Sequence, residues 1–299
     1  MANNISESSF LFTIIIPTYN RREALIRCLN SLKEQLFDDF EVIVCDDGSQ
    51  DGSAEAVSSF TGLSNLRYNR QENWGGPARP RNLGLECARG KWVCFLDSDD
   101  WYAPGRLQYL STYVNSDFDV YYHRLTTVDP DGREGTLPTW QIDNKNPAVD
   151  LLTGFNGILT SSSCINRVKL LEHQVRFSEN KAIIGLEDFD FWVRLGFIGF
   201  RFKFIDQGLG YYNVGGNDHI SFGGQRQIDR FSCLYMSYQD LLPAIAREQS
   251  LAAYNYQKAC LLQQAGDKKN AFRCFLTAFR LGRLKVRLRS LYKLIRIYI

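Results

Sequence analysis

The stretch Lys91–Arg106, KWVCFLDSDDWYAPGR, runs four apolar residues (Val93, Cys94, Phe95, Leu96) straight into three carboxylates, Asp97, Asp99 and Asp100. A buried strand ending in that much negative charge is either a tolerated turn or a site for something positive. The residues upstream decide the fold around it. LFTIIIPTYN (11–20) is a β-rich run stopped by Pro17 and reads as a buried strand. From Arg22 to Glu34, apolar residues recur at Ala24, Leu25, Cys28, Leu29 and Leu32, a helical period. FEVIVCDDGSQDGS (40–53) is a second strand that breaks into acid and glycine, Ser53–Phe60 can form a helix, and LRYNR (66–70) a third strand. GPARPRNLGLECARG (76–90) holds a helix ending at Gly90, and KWVCFLD is the fourth strand. Such alternation, with continuously apolar strands, predicts an α/β fold on a mostly parallel, Rossmann-like central sheet flanked by helices.

Ligands of such sheets bind beyond the carboxyl ends of the strands. Three polar groups share that address: Pro17–Asn20, Asp46–Ser49 and Asp97–Asp100. DDGS alone is equally well an Asp-Gly turn, but three strands delivering carboxylates or hydroxyls to one edge predict a site. No GxGxxG follows the first strand and no GxxxxGK[ST] occurs, so a glycine-rich phosphate cradle is excluded. Clustered carboxylates repel a phosphate unless a divalent cation stands between them. Mg²⁺ and Mn²⁺ take oxygen ligands, Mg²⁺ using one or two carboxylates plus substrate phosphates. Asp97-x-Asp99 suits that task, and a metal-bridged nucleoside diphosphate is the chemistry suggested.

Composition sets bounds. The 299 residues suffice for one sizeable core with a small appendage, and 44% hydrophobic with 23% charged is ordinary for a globular protein. The net charge is +2, yet from Arg280 onward there are seven Arg or Lys and no acid, which leaves −5 for the rest. Nothing points to nucleic acid. The eight cysteines make no CxxC pair and fall within strand- or helix-like runs, so they read as reduced thiols of a cytoplasmic protein. MANNISESSF shows no signal-peptide pattern, and no apolar run is long enough to span a membrane.

In the second half, GLEDFDFWVRL (185–195) carries Glu187, Asp188 and Asp190 where a helix begins. Acids in a first turn are favoured by the helix dipole, so one of them can be purely structural. His123 and His173 have no motif around them. The segment 117–184, with YYHRL and TSSSCINR, carries nothing that identifies a ligand. After residue 226 the chain turns helical, and residues 252–282 resemble a tetratricopeptide-like hairpin around Gly266–Asp267. Leu284, Leu288, Leu291, Ile295 and Tyr298 then lie on one helical stripe flanked by the seven cations. That stripe is either the docking face of a terminal helix or a face lying on an anionic membrane.

IIIPTYNR, VIVCDDGSQDGS, ENWGGPARPRNLGLECARGKWVCFLDSDDWYAPGRL and GLEDFDFWVRLGFIGFRFKFIDQGLGYYNV, in that order, resemble the motifs of the GT-A fold, family 2 glycosyltransferases. The resemblance covers 11–225 as the catalytic domain, between an N-terminal tail (1–10) and a C-terminal helical region (226–299). It implies an inverting enzyme moving a sugar from a nucleoside diphosphate donor, UDP favoured, to a hydroxyl of a saccharide or glycolipid acceptor. Cell-surface polysaccharide or glycolipid synthesis is the expected setting, in the cytoplasm or at the inner membrane face.

By position in the motifs, Pro17 and Tyr19 line the base, and Asp47 accepts a hydrogen bond from the uracil ring. Arg81, in Pro80-Arg81-Asn82 where the family has Ala-Arg-Asn, lies near the nucleotide. Asp97 and Asp99 form the DxD pair, the first near ribose and metal, the second on a Mn²⁺ or Mg²⁺ bound to the diphosphate. Asp100 supports the turn into Trp101, Asp188 is the general base, and His219 is a third metal ligand. Two other readings stand beside this one. A GT-A-like nucleotidyltransferase leaves Asp188 without a task, and a non-catalytic nucleotide-sugar-binding scaffold has no need of both intact motifs.

Overall fold

The computed structural model describes residues 9–115, 117–215 and 224–297. The first elements are β1 (Phe10–Thr18), α1 (Arg22–Lys33), β2 (Phe40–Asp46), α2 (Ser53–Ser58), β3 (Leu66–Arg70), α3 (Ala78–Cys87) and β4 (Gly90–Phe95). Then come β5 (Trp101–Tyr102), α4 (Arg106–Tyr113), β6 (Val120–Val128), β7 (Glu134–Thr136), α5 (Pro147–Gly154), β8 (Cys164–Asn166) and α6 (Arg167–Glu172). The chain continues through α7 (Glu187–Phe197), β9 (Phe202–Asn213), α8 (Gln225–Ser237), α9 (Ala244–Gln264), α10 (Lys268–Leu281) and α11 (Leu284–Arg296).

Two compact units are formed. The first takes the described residues up to Gln141, Ile158–Phe177 and the segment from Phe200 through β9; the second takes Ile142–Gly157, Ser178–Gly199 and the C-terminal helices.

Among the described residues, all nine strands belong to the first unit, in the order β3-β2-β1-β4-β8-β6-β9-β5, with β7 on β6. The expected parallel, Rossmann-like arrangement holds for β3-β2-β1-β4. Beyond β4 the pairing is mixed: β8 runs antiparallel to β4 and β6, and β5 to β9, while β6 and β9 are parallel. The 117–184 segment thus supplies strands β6, β7 and β8 to the sheet. Its strands are short or interrupted, and β8, three residues long, escapes a periodicity reading.

Every residue of β2 is buried, as a strand covered on both faces requires. α3 lies against β1 so closely that a Cβ on Gly84 would stand 2.4 Å from Ile15 Cγ2. That approach fixes the helix carrying Arg81 and Asn82. The β1–β4 ladder ends at Ile15 with Phe95, after which Leu96 N–H still donates to the Ile15 carbonyl at 3.0 Å. Pro17, next in phase, has no N–H to extend it. The chain after Leu96 is therefore released from the sheet where the carboxylates begin.

In the second unit, α5 and α7 touch at Gly196, where a Cβ would meet Ala148 N at 2.6 Å. α9 and α10 form the hairpin expected around Gly266, with the Asp267 carboxylate accepting from Asn270 N–H at 3.1 Å to cap α10. Phe275, Ala271 and Ala259 make a small core there with Ile297. α11 docks through Val286, Ser290 and Ile297, all buried. Leu284, Leu288, Leu291 and Ile295 are 71%, 58%, 41% and 64% exposed. The stripe read from the sequence is therefore not the docking face; Tyr298 lies outside the described residues. Among the described residues no helix is long and apolar enough to cross a membrane.

Candidate active site

The carboxyl ends of β1, β2 and β4 meet at one sheet edge. Thr18 pairs with Asp46, and Asp47 N–H donates to the Thr18 carbonyl at 2.9 Å. Ser49 Oγ accepts from Asn20 N–H and Asn20 Oδ1 accepts from Gln50 N–H, each at 2.8 Å, so the two loops are cross-tied. Gly48 is required between them: its φ is +89°, and a Cβ would stand 3.0 Å from Asn73 N. Tyr19, 47% exposed, offers an open ring beside this knot, with Pro17 inside the strand.

Asp47 is buried, and its carboxylate already accepts from Gln71 Nε2 (2.6 Å), Trp74 N–H (2.9 Å) and Gly75 N–H (3.0 Å). Three donors fill most of the roughly four acceptor positions of a carboxylate. Asp47 thus organises the 71–75 loop as well as standing at the strand end.

Asp97 and Asp99 remain part-exposed, at 31% and 15% of their side chains. Each faces an arginine: Arg81 Nη2 donates to Asp97 Oδ1 at 2.6 Å, and Arg21 is ion-paired with Asp99. Arg27 donates to the Asp99 carbonyl at 2.6 Å and stacks on Trp101. Asn82, beside Arg81, plays a different part. It accepts from Phe177 N–H (2.8 Å) and donates to the Phe177 carbonyl (3.0 Å), clamping that backbone to α3.

Asp100 does more than shape a turn. It is buried, it accepts from Asn213 N–H at 3.0 Å, and it accepts from the Ser161 hydroxyl. Ser161 Oγ in turn accepts from Asp97 N–H at 3.0 Å, so this serine bridges the first and last acids of the turn. Burial first, then the charges of Asp99 and Asp97, hold the Asp100 carboxyl well above the usual carboxylate range. The stretch then ends on a fully buried cation. Arg106 lies 3.7 Å from the Tyr102 ring centroid and donates to His123 Nε2 (2.8 Å) and the Ser163 carbonyl (3.1 Å). His123 is thereby occupied in the core, and His173 stacks edge-on against Phe200.

The three acids at the start of α7, in the second unit, have separate environments. Glu187 is buried and accepts from Gly185 N–H at 2.6 Å. Asp190 is buried and accepts from Arg194 Nε (2.8 Å) and the Tyr238 hydroxyl (2.6 Å). Asp188 is half-buried; its Oδ1 accepts from Phe189 N–H (2.7 Å) and its Oδ2 from Asn156 Nδ2 (3.1 Å). Asn156 thus holds the carboxylate in one orientation.

A divalent cation was the expected cofactor. Among the described residues there is no cluster of three His, Cys, Asp or Glu that could hold one, and His219 lies outside the described residues. Asp97 and Asp99 nonetheless offer hard oxygens from one part-exposed turn. They fit an ion that draws its other ligands from diphosphate and water. All eight cysteines are free thiols.

Arg21, Arg27 and Ser161 are site residues that the sequence reading passed over. Arg21 and Arg27 lie on or beside an ordinary amphipathic helix, and Ser161 comes from a three-residue 3₁₀ turn, Thr160–Ser162, with no motif of its own.

Comparison with known proteins bears directly on this arrangement. A sequence model of the family described as Glycosyl transferase family 2 matches residues 13–174. The amylovoran biosynthesis glycosyltransferase AmsB of Erwinia amylovora is 32% identical over 215 residues, covering 68% of this chain and 69% of AmsB. The poly(ribitol-phosphate) beta-N-acetylglucosaminyltransferase TarS of Staphylococcus aureus (strain Mu50 / ATCC 700699) is 33% identical over 173 residues, covering 56% of this chain but 30% of TarS.

Two solved structures share the fold. S. aureus TarS 1-349 in complex with UDP-GlcNAc superposes with a TM-score of 0.68 at 21% identity, over 96% of this chain and 89% of that one. The mannosyltransferase PcManGT from Pyrobaculum calidifontis, in complex with GDP-Man and Mn²⁺, gives 0.61 at 17% identity, over 99% and 84%. With the family match running from β1 through the carboxylate turn to α6, the chain belongs to glycosyl transferase family 2 and is a glycosyltransferase.

Proposed function

We propose that this enzyme transfers a sugar from a nucleoside diphosphate donor, UDP favoured, to a hydroxyl of a saccharide or glycolipid acceptor, with inversion. The observation that carries the reading is the sheet edge itself. Acids (Asp47, Asp97, Asp99) stand there beside arginines (Arg21, Arg27, Arg81), with Asp97, Asp99 and Arg21 part-exposed. Arginine guanidinium groups suit diphosphate oxygens, and the paired carboxylates suit a cation carried with them. Exchange of Arg21 and Arg81 from carboxylate to phosphate would accompany donor binding.

Asp97 and Asp99 would hold a Mn²⁺ or Mg²⁺, which supplies charge neutralisation to the diphosphate leaving group. Pro17 and Tyr19 border the base, and Asp47 serves it through whatever acceptor capacity the 71–75 loop leaves. Asp188 acts as general base, taking the acceptor hydroxyl's proton as that oxygen attacks the anomeric carbon and the bond to the diphosphate breaks. Its half-buried position supports this role, whereas Glu187 and Asp190 are buried. AmsB is named for amylovoran biosynthesis and TarS for poly(ribitol-phosphate) modification, which supports a cell-surface polymer or its lipid-linked precursor as acceptor. Eight free cysteines accord with the cytoplasm.

The test is a donor screen with Mn²⁺ over UDP-, GDP- and dTDP-sugars, reading release of nucleoside diphosphate. Turnover with a UDP-sugar is expected. Turnover with GDP- or dTDP-sugars alone would remove the base assignment while leaving the transferase chemistry intact.

A further inference from the structure

We propose that α11 is an interfacial helix that seats this protein on an anionic lipid surface, its outward aliphatic stripe entering the acyl boundary and its flanking arginines meeting headgroups. At the α-helical period, Leu284, Leu288, Leu291 and Ile295 fall within an arc of about 60°, opposite the buried Val286, Ser290 and Ile297. Single exposed leucines are ordinary on a protein surface, but four aliphatics in one line are not. Arg287 borders the stripe on one side, stacked on Phe279; Tyr292 and Arg296, stacked on each other, border it on the other. Apolar centre, aromatic edge and cationic rims are the cross-section of a helix lying in the plane of a membrane surface.

The helix is held so that this face stays outward. At its start Arg283 is ion-paired with Asp150 and donates to Thr153 Oγ1 at 3.0 Å; towards its end Ile297 and Leu294 enter the α9–α10 core. No ordering of the helix is needed on binding, which removes a cost that folding-on-binding helices carry. The charge selects the occupant. From Arg280 to the terminus there are seven cations and no acid. A second copy meeting the same stripe would bring the Arg287 and Arg296 rims against like charge, whereas an anionic leaflet complements them. Their crowding is already felt within the protein: burial first, then the neighbouring Arg289, draws the Lys285 ammonium down to about 8. This inference does not rest on the donor or mechanism proposed above.

The experiment is co-sedimentation of the full chain with vesicles of phosphatidylcholine alone and of phosphatidylcholine with phosphatidylglycerol, at low and high salt. Binding to the phosphatidylglycerol vesicles at low salt is expected, weakened by salt and weak on phosphatidylcholine. The exposed-face variant L284S/L288S/L291S/I295S should lose about tenfold or more in partition with an unchanged melting curve. R287Q/R296Q should lose about fivefold per cation removed. Failure of the wild type to bind phosphatidylglycerol vesicles at low salt overturns the proposal, as does undiminished binding by the four-site variant. Concentration-dependent dimerisation that the four-site variant abolishes would overturn it too, by giving the stripe to a second copy.

Discussion

Asp188 and Asn82 both lie in the first half of a helix, yet their side chains are held differently. The Asn82 amide accepts from Phe177 N–H and donates to the Phe177 carbonyl, spanning one residue's backbone. Replacing it with alanine leaves a buried N–H and C=O without partners, at about 1–3 kcal/mol each. Asn82→Ala should therefore melt several degrees below the wild type, at roughly 2–4 °C per kcal/mol. An unchanged Tm would show that water takes over the clamp. The resemblance put Asn82 with Arg81 near the nucleotide, and nothing in Pro80-Arg81-Asn82 announces a partner 95 residues away. Asp47, by contrast, was legible as a strand-end acid, while its engagement by Gln71, Trp74 and Gly75 was not.

At the scale of elements, the N-terminal strands and helices were readable because each is long enough to show a period. Pro17 even marks where the β1–β4 ladder stops. Among the later strands β5 and β8 were not, since they are two and three residues long and draw their stability from pairing instead of local pattern. Arg106 was unreadable for another reason: charge is expected outside, and here a guanidinium is enclosed by Tyr102, His123 and Ser163.

That enclosure on β6 has a pH signature. Burial, then the Arg106 charge, hold His123 well below its ordinary value of 6.5. The unfolded chain therefore binds a proton more readily than the folded one as pH falls below 6.5, and stability declines with acidification through this group. The charged groups facing it act in the same sense, because Arg106 cannot release its proton. Melting curves at pH 7.5 and 5.5 should show a smaller drop for His123→Gln than for the wild type. An equal drop would place the sensitivity elsewhere.

For the whole molecule, the family, the α/β class and the helical C-terminal segment could all be read in the sequence. The outward direction of the α11 stripe could not, because a helix with two apolar faces has one pattern and two ways to dock. The arginines that counter the carboxylate turn were equally hidden, since Arg21 and Arg27 belong by sequence to a helix whose periodicity speaks only of its buried side. Central to the proposal is a division of labour: Asp97 and Asp99 for the donor's charge, Asp188 for the proton. The direct measurement is steady-state turnover and donor affinity of Asp188→Asn against the wild type, using whichever nucleotide-sugar the screen selects. Asparagine keeps the size of the side chain and a hydrogen bond with Asn156, but cannot take a proton. The account predicts kcat lower by about 10²–10⁴-fold with donor Kd unchanged. Turnover equal to the wild type would contradict it.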